Sequence, residues 1–130
     1  MIVDIYNEVF TKIKTEISTA NVLPEYPTTT VSFPCIIVEE KLNNSLINTI
    51  DTGGENHNVL SFEINIFSDA ENKRSVCREL RIMVDSIMSD LYGMNRTGSN
   101  PVPNYSDLNI FRYMLTYECT VDKNKTIYRG

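Results

Sequence analysis

Residues 60–66 read LSFEINI, and this short stretch decides what kind of fold the chain can adopt. Its apolar side chains alternate with polar ones, which is typical of a β-strand with one face in the core and the other toward water. A second stretch with the same alternation, FRYMLTYECTV at residues 111–121, predicts a strand from Leu108 to Val121. The chain therefore contains a sheet that has one apolar face.

The residues before the first of these strands predict a helix, a connector and another strand. Apolar residues recur at spacings of three and four from Ile2 to Ile17, the pattern of an amphipathic helix. Pro24 and Pro27 prevent this helix from continuing, so residues 21–30 should form an extended connector. The β-branched run that follows predicts a strand from about Cys35 to Leu42.

A second amphipathic helix is expected from about Asp69 to Tyr92. Ser68 and Glu71 stand at the spacing of a capping box, and Gly93 ends the apolar stripe. Residues 93–107 are rich in turn formers, and we expect an exposed loop there.

These elements predict a single domain of residues 1–130 with an α+β fold. We expect a two-layer sandwich, in which a mostly antiparallel sheet of about four strands packs against two long amphipathic helices. Residues 126–128 would add a short terminal strand. The connection at residues 43–58 is far longer than a hairpin needs, so we expect an extended loop or hairpin arm there.

The composition is that of a globular protein, and it argues against several functional classes. Of the 130 residues, 42% are apolar and 22% are charged, and no apolar run approaches the roughly 18 residues of a membrane span. The net charge of −5 has the wrong sign for holding nucleic acid. Asp4 and Glu8 lie where a secretory signal would carry lysines, so we expect no export signal.

The cysteines and the single histidine leave few possibilities for a catalytic or metal site. Cys35, Cys77 and Cys119 are odd in number, far apart and without a CxxC spacing, so we expect buried, reduced thiols. His57 is the only histidine, and a site with two histidine ligands is therefore excluded. No glycine-rich phosphate-binding motif is present. We accordingly expect no cofactor, no metal and no enzyme activity.

Residues 47–58, INTIDTGGENHN, contain the Asp-Thr-Gly triplet on which aspartic proteases carry their catalytic carboxylate. Such an enzyme needs two carboxylates, so a chain of this size would have to dimerise around Asp51. That fold is nearly all β, whereas two helices are expected here, and no apolar-apolar-Gly segment follows to support the active-site loop. A peptidase using Asp51 is therefore a remote alternative to a simple turn at the two glycines. A metal site of Asp51, Glu55 and His57 would be weak, because these residues share one glycine-rich loop.

The same connection carries Leu46, Ile47 and Ile50 among polar residues. Their near-alternate spacing suggests an extended arm that buries apolar side chains. The arm packs against a neighbouring copy of the chain in one interpretation, and folds back onto its own domain in the other.

Four segments after the N-terminal helix carry a resemblance to a known family: FPCIIVEE at 33–40, LSFEINIFSDAENK at 60–73, VCRELRIMVDSIMSDLYGM at 76–94 and FRYMLTYECTV at 111–121. In this order they resemble the tail terminator, or tail completion, proteins of long-tailed bacteriophages and related contractile particles. The resemblance spans nearly the full chain, although none of the segments is an invariant motif. A head-closure or head-tail connector protein is the alternative.

The resemblance implies a structural virion protein. Such proteins form a ring, usually of six copies, that binds the last ring of the tail tube protein, stops tube polymerisation and presents a surface to the head-tail connector protein. The location would be the head-tail junction of the virion, after assembly in the cytoplasm of the bacterial host, and DNA would pass through the acidic ring without specific binding. No membrane is involved. The expected subunit or tube contacts are Leu46, Ile47, Ile50, Tyr105 and Tyr128.

Overall fold

The computed structural model of the protein describes residues 3–26, 32–45, 57–103 and 109–128. The elements in chain order are α1 (Tyr6–Glu16), β1 (Asn21–Leu23), β2 (Cys35–Ser45), β3 (His57–Ser68), α2 (Lys73–Asp85) with a π-helical continuation (Ser86–Leu91), β4 (Asn95–Val102), β5 (Phe111–Asp122) and β6 (Ile127–Tyr128).

The described strands form one sheet with the order β1-β2-β3-β5-β4, and β6 adds to the end of β5. β1 pairs with β2 in parallel, and all other neighbours are antiparallel. The sheet is curled into a half-barrel. This curl is expected of long antiparallel strands, because each of them twists in the same sense.

The predicted α+β two-layer sandwich is wrong. The chain is mostly β, with 45% strand and 29% helix, and its described residues form two helices, one of them 19 residues long. α1 begins only at Tyr6, whose backbone N–H donates to Asp4 Oδ1 at 2.9 Å, so residues 3–5 do not join it. Two strands also lie in segments for which we predicted no strand, and the sheet is a curled half-barrel instead of one layer of a sandwich.

The first of these strands is β4, inside the predicted exposed loop at 93–107. Asn95–Val102 pairs antiparallel with β5, so the loop prediction is wrong for these residues, although most of their side chains are exposed. Pro101 is tolerated because β4 is an edge strand, where one side of the backbone needs no ladder partner. Gly98 follows a register shift after Arg96, which is a usual place for glycine in a strand.

The second is β1, inside the predicted connector. Asn21–Leu23 pairs with Cys35–Ile37, and the backbone N–H of Asn21 also donates to Pro34 O at 2.9 Å. The connector therefore returns to the sheet as a strand of 3 residues.

Both helices pack against the sheet in one hydrophobic cluster. β3 and β5 supply alternate side chains to it, including Phe62 and Tyr117, which are fully buried. α1 supplies Val9 and Ile13. α2 supplies the following buried side chains: Cys77, Leu80 and Val84, with Ile87 and Met88 from the π-helical turn.

The second helix was predicted from about Asp69 to Tyr92, and it runs from Lys73 to Leu91. Gly93, the predicted stop, follows two residues later and has a φ of 72°. This left-handed conformation suits glycine because it has no Cβ. The predicted capping box is absent, because Ser68 belongs to β3 and its Oγ accepts from Ala70 N at 3.3 Å. No helix among the described residues is long and apolar enough to cross a membrane.

Candidate functional site

Most of the predicted contact residues lie outside the described residues. Leu46, Ile47, Ile50 and Tyr105 belong to this group, as does Asp51. The two ends of the predicted arm at 43–58 belong to strands, because the pairing of β2 with β3 extends to Ser45 and Asn58. The arm contacts and the Asp51 peptidase therefore stay predictions. Two helices are present, as the argument against the peptidase assumed, and the missing supporting segment is the other argument against it.

Tyr128 is the one predicted contact residue that the structure places. Its hydroxyl donates to Asp122 Oδ2 at 3.1 Å, and its ring lies 5.2 Å from the ring of His57. The backbone N–H groups of Thr126 and Asn124 donate to Asp122 Oδ1, and such hydrogen bonds, Thr126 first, lower the pKa of this carboxyl. Tyr128 thus closes the C-terminal hairpin, while 47% of its surface stays exposed.

The three cysteines are buried and free, as predicted. Burial raises the pKa of Cys35 and of Cys77 to about 11, and that of Cys119 to about 12. The thiolate is the reactive form, so these side chains are poor nucleophiles at neutral pH. They act as small apolar residues.

A polar network joins the C-terminal part of the long helix to β4. Asp85 Oδ1 accepts from the hydroxyl of Tyr117 at 2.8 Å, and Asp85 Oδ2 lies 3.2 Å from Arg96 Nη1. Burial, and then the bond to Asp85, raises the pKa of Tyr117. This phenol therefore remains a neutral donor, and the network fixes β4 against the helix.

A second pair of contacts reinforces this attachment. Arg81 Nη1 donates to Tyr113 Oη at 2.7 Å, and Ser99 Oγ shares a hydrogen bond of 2.8 Å with the same oxygen. Burial alone would raise the pKa of Tyr113, but the bonds from Ser99 and Arg81 outweigh it and lower that pKa. Arg81, Asp85, Arg96 and Ser99 line a shallow groove here. Because their side chains bind one another or neighbouring tyrosines, we assign the groove a structural role.

The sheet has an open edge at β4. Among the described residues, β4 pairs only with β5, so its other side presents backbone groups without a strand partner. Such an edge can be extended by a strand from another chain. The network described above holds β4 in place without covering this edge.

A second open edge lies on β2. β1 covers only Cys35–Ile37, and the rest of β2 has no described strand on that side. The N-terminal segment makes two contacts with β2: the hydroxyl of Tyr6 donates to Val38 O at 2.6 Å, and Asn43 Nδ2 donates to Val3 O at 2.9 Å. β2 runs antiparallel to β4, because three antiparallel pairings separate the two strands.

Two grooves of opposite charge flank these edges. The basic groove, about 340 Å³, lies at the end of β4 and is lined by Arg74, Pro101, Val102, Pro103, Ile110, Phe111 and Arg112. The acidic groove, about 450 Å³, lies beside the open edge of β2 and is lined by Tyr6, Pro24, Glu25, Glu39 and Glu40. Sequence reasoning did not identify either groove, because each combines segments that are far apart in the chain.

No family model matches the chain, and no curated protein matches it either.

Proposed function

We propose that the protein assembles head to tail into a ring that caps the tail tube of a phage and joins the tail to the head. This is the role of the tail terminator proteins that the sequence resembles. The observation that carries the proposal is the pair of open edges on one curled sheet. Adding β2 of a second copy to β4 of the first would extend the sheet by another antiparallel pair.

Head-to-tail pairing suits a ring because the two surfaces that meet are different. Such heterologous contacts give a closed ring when the rotation between copies closes, and a filament when it does not. The proposed ring has six copies and sits at the head-tail junction of the virion, between the tail tube protein and the connector protein. With a net charge of −5 per copy, its channel would repel DNA rather than hold it.

The test combines assembly with tube capping. The purified protein is expected to form rings, in solution or on the end of tubes made by the tail tube protein of the same phage, with mass measured by light scattering and shape by electron microscopy. Binding to the connector side alone would favour a head-closure protein. If the protein forms no rings and is not found on tube ends, the proposal is contradicted.

Two neighbouring proline substitutions test the role of the β4 edge. Consecutive N–H groups of a strand point to opposite sides, so one of Ser99→Pro and Asn100→Pro removes a donor to β5 and the other a donor on the open edge. Each proline variant is compared with the alanine variant at the same position, because Ser99→Pro also removes the hydrogen bond between Ser99 Oγ and Tyr113 Oη. The proline variant that keeps the melting temperature of its alanine counterpart is the open-edge one, and we expect it to lose ring formation. Intact rings in that variant would remove β4 from the proposal.

A further inference from the structure

We infer that the basic groove of one copy binds the acidic groove of the next copy, and that Arg74 and Glu25 form an ion pair across this interface, which we call the joint. This inference rests on the proposed ring and names the residues at its interface. It concerns two different surfaces, one beside β4 and the other beside β2, and a head-to-tail contact requires two different surfaces.

The basic groove offers a cation on an apolar floor. The guanidinium of Arg74 lies 4.8 Å from the centroid of the Phe111 ring. Among the described residues, no carboxylate pairs with Arg74, whereas Arg112 already donates to Asn65 Oδ1 and Tyr26 Oη. Arg74 is exposed and keeps N–H groups for an acceptor from outside.

The floor itself is apolar and preformed. Pro101 and Pro103 belong to the lining, together with Val102, Ile110 and Phe111. Proline at the end of an edge strand has no N–H to leave unsatisfied when a partner covers it. The groove therefore fits a partner that brings an acidic side chain beside apolar surface.

The acidic groove meets that description. Glu25 and Pro24 are exposed at its rim, directly after β1. Glu39 is partly neutralised by Lys41, whose Nζ lies 3.3 Å from Glu39 Oε1. Glu25 has no ion pair among the described residues, so its carboxylate is the one most available to a neighbour.

The charge of the whole chain favours a second copy with this orientation over random contacts. Two copies with a net charge of −5 repel each other, and a contact that places opposite charges together reduces this repulsion. A basic groove and an acidic groove on one chain satisfy this condition only when different edges meet. Charge complementarity of this kind selects the partner and its orientation.

The test uses charge reversal in two separate variants. Arg74→Glu places like charges at the joint, and Glu25→Arg does so from the other side. We expect each variant alone to weaken assembly by about tenfold or more, as close charge pairs at interfaces can. The double variant, Arg74→Glu with Glu25→Arg, restores opposite charges and is expected to form rings.

A mixture of the two single variants gives the sharpest result. When copies alternate, every joint in the ring pairs opposite charges, so the equimolar mixture should assemble although each variant alone does not. Arg78→Glu is the matched control, because Arg78 is exposed one turn further along α2 and its reversal changes the net charge equally. This control should assemble normally.

The possible outcomes test the Arg74–Glu25 ion pair and the proposed tube-capping function separately. Normal rings with Arg74→Glu would overturn the inference, as would an equal loss with Arg78→Glu or failure of the mixture to assemble. Rings that form normally with Arg74→Glu but no longer cap tubes would assign the groove to the tube protein instead. Rescue in the mixture without any tube capping would leave the joint standing and contradict the proposed function.

Discussion

At the scale of single residues, Glu40 shows how burial affects a carboxylate near the proposed interface. It lies opposite Phe62 in the β2–β3 pairing, and its Oε1 accepts from Asn43 Nδ2 at 3.1 Å. Burial raises the pKa of Glu40, the bond from Asn43 partly opposes this, and the nearby Asp4 adds to it. The folded state thus favours the protonated form of this side chain.

This environment predicts a pH-dependent effect of Glu40→Gln. A carboxyl with a raised pKa in the folded state contributes stability at low pH, and that contribution is lost as the pH rises through the folded pKa. Glutamine keeps the acceptor oxygen without the charge. We therefore expect the variant to gain thermal stability relative to the unmodified protein as the pH rises from about 4 to about 7.

Thermal unfolding followed by circular dichroism at several pH values checks this expectation. Glu79→Gln serves as the control, because Glu79 is exposed on α2. If the difference in melting temperature between Glu40→Gln and the unmodified protein is constant over this pH range, the charge on Glu40 does not affect folding.

At the scale of elements, the strands that bury one face and the short terminal strand β6 could be predicted, whereas β1 and β4 could not. β2, β3 and β5 were found from their apolar side chains, since these contact the core. β4 carries mostly exposed side chains with a glycine and a proline, and its stability comes from pairing with β5 and from polar contacts to the long helix. Such contacts produce no periodic pattern in the sequence, so the strand could not be predicted from it.

The candidate site was harder to predict than the strands for the same reason. Arg74 belongs to a basic pair at residues 73–74 that looks like an ordinary solvated helix face. It becomes distinctive only because Phe111 lies beneath it. Glu25 likewise acquires a role only when β1 brings it to the open edge of β2. Tertiary placement of distant segments decides both.

The β4 element gives a prediction at Gly98. A Cβ at this position would lie 2.7 Å from Thr116 Oγ1, which accepts a hydrogen bond from Thr97 Oγ1. Gly98→Ala must therefore displace the Thr116 side chain. Thr116 is only partly buried and can rotate, so we expect the free energy of unfolding to fall by about 0.5–1.5 kcal/mol, the usual cost of an unfavourable side-chain rotamer.

A double-mutant cycle with Thr116→Ala isolates this contact. In the Thr116→Ala background the clashing oxygen is gone, so adding Gly98→Ala should cost much less than it does alone. Denaturant unfolding of the four proteins measures the coupling. Equal costs in both backgrounds would mean that Thr116 is not what requires glycine here.

At the scale of the whole molecule, the three thiols report on opening of the fold. Cys35, Cys77 and Cys119 lie in β2, α2 and β5, and each is buried. Because burial also raises their pKa values, we expect iodoacetamide at about pH 8 to leave the native protein unmodified and to modify all three thiols in denaturant.

Mass spectrometry of the intact protein and of its peptides gives the result directly. Rapid modification of any one thiol under native conditions would identify an element that opens separately from the rest. Modification of all three at one common rate would indicate that the sheet and helix open as a single unit.

The curl of the sheet has a consequence for the size of the proposed assembly. Because the half-barrel turns from β2 to β4, its two open edges face directions separated by a definite angle. Each copy added at one edge would be rotated by that angle, and the number of copies that complete a full turn follows from it. Strand twist, together with the register shifts in β2 and β4, would then determine stoichiometry.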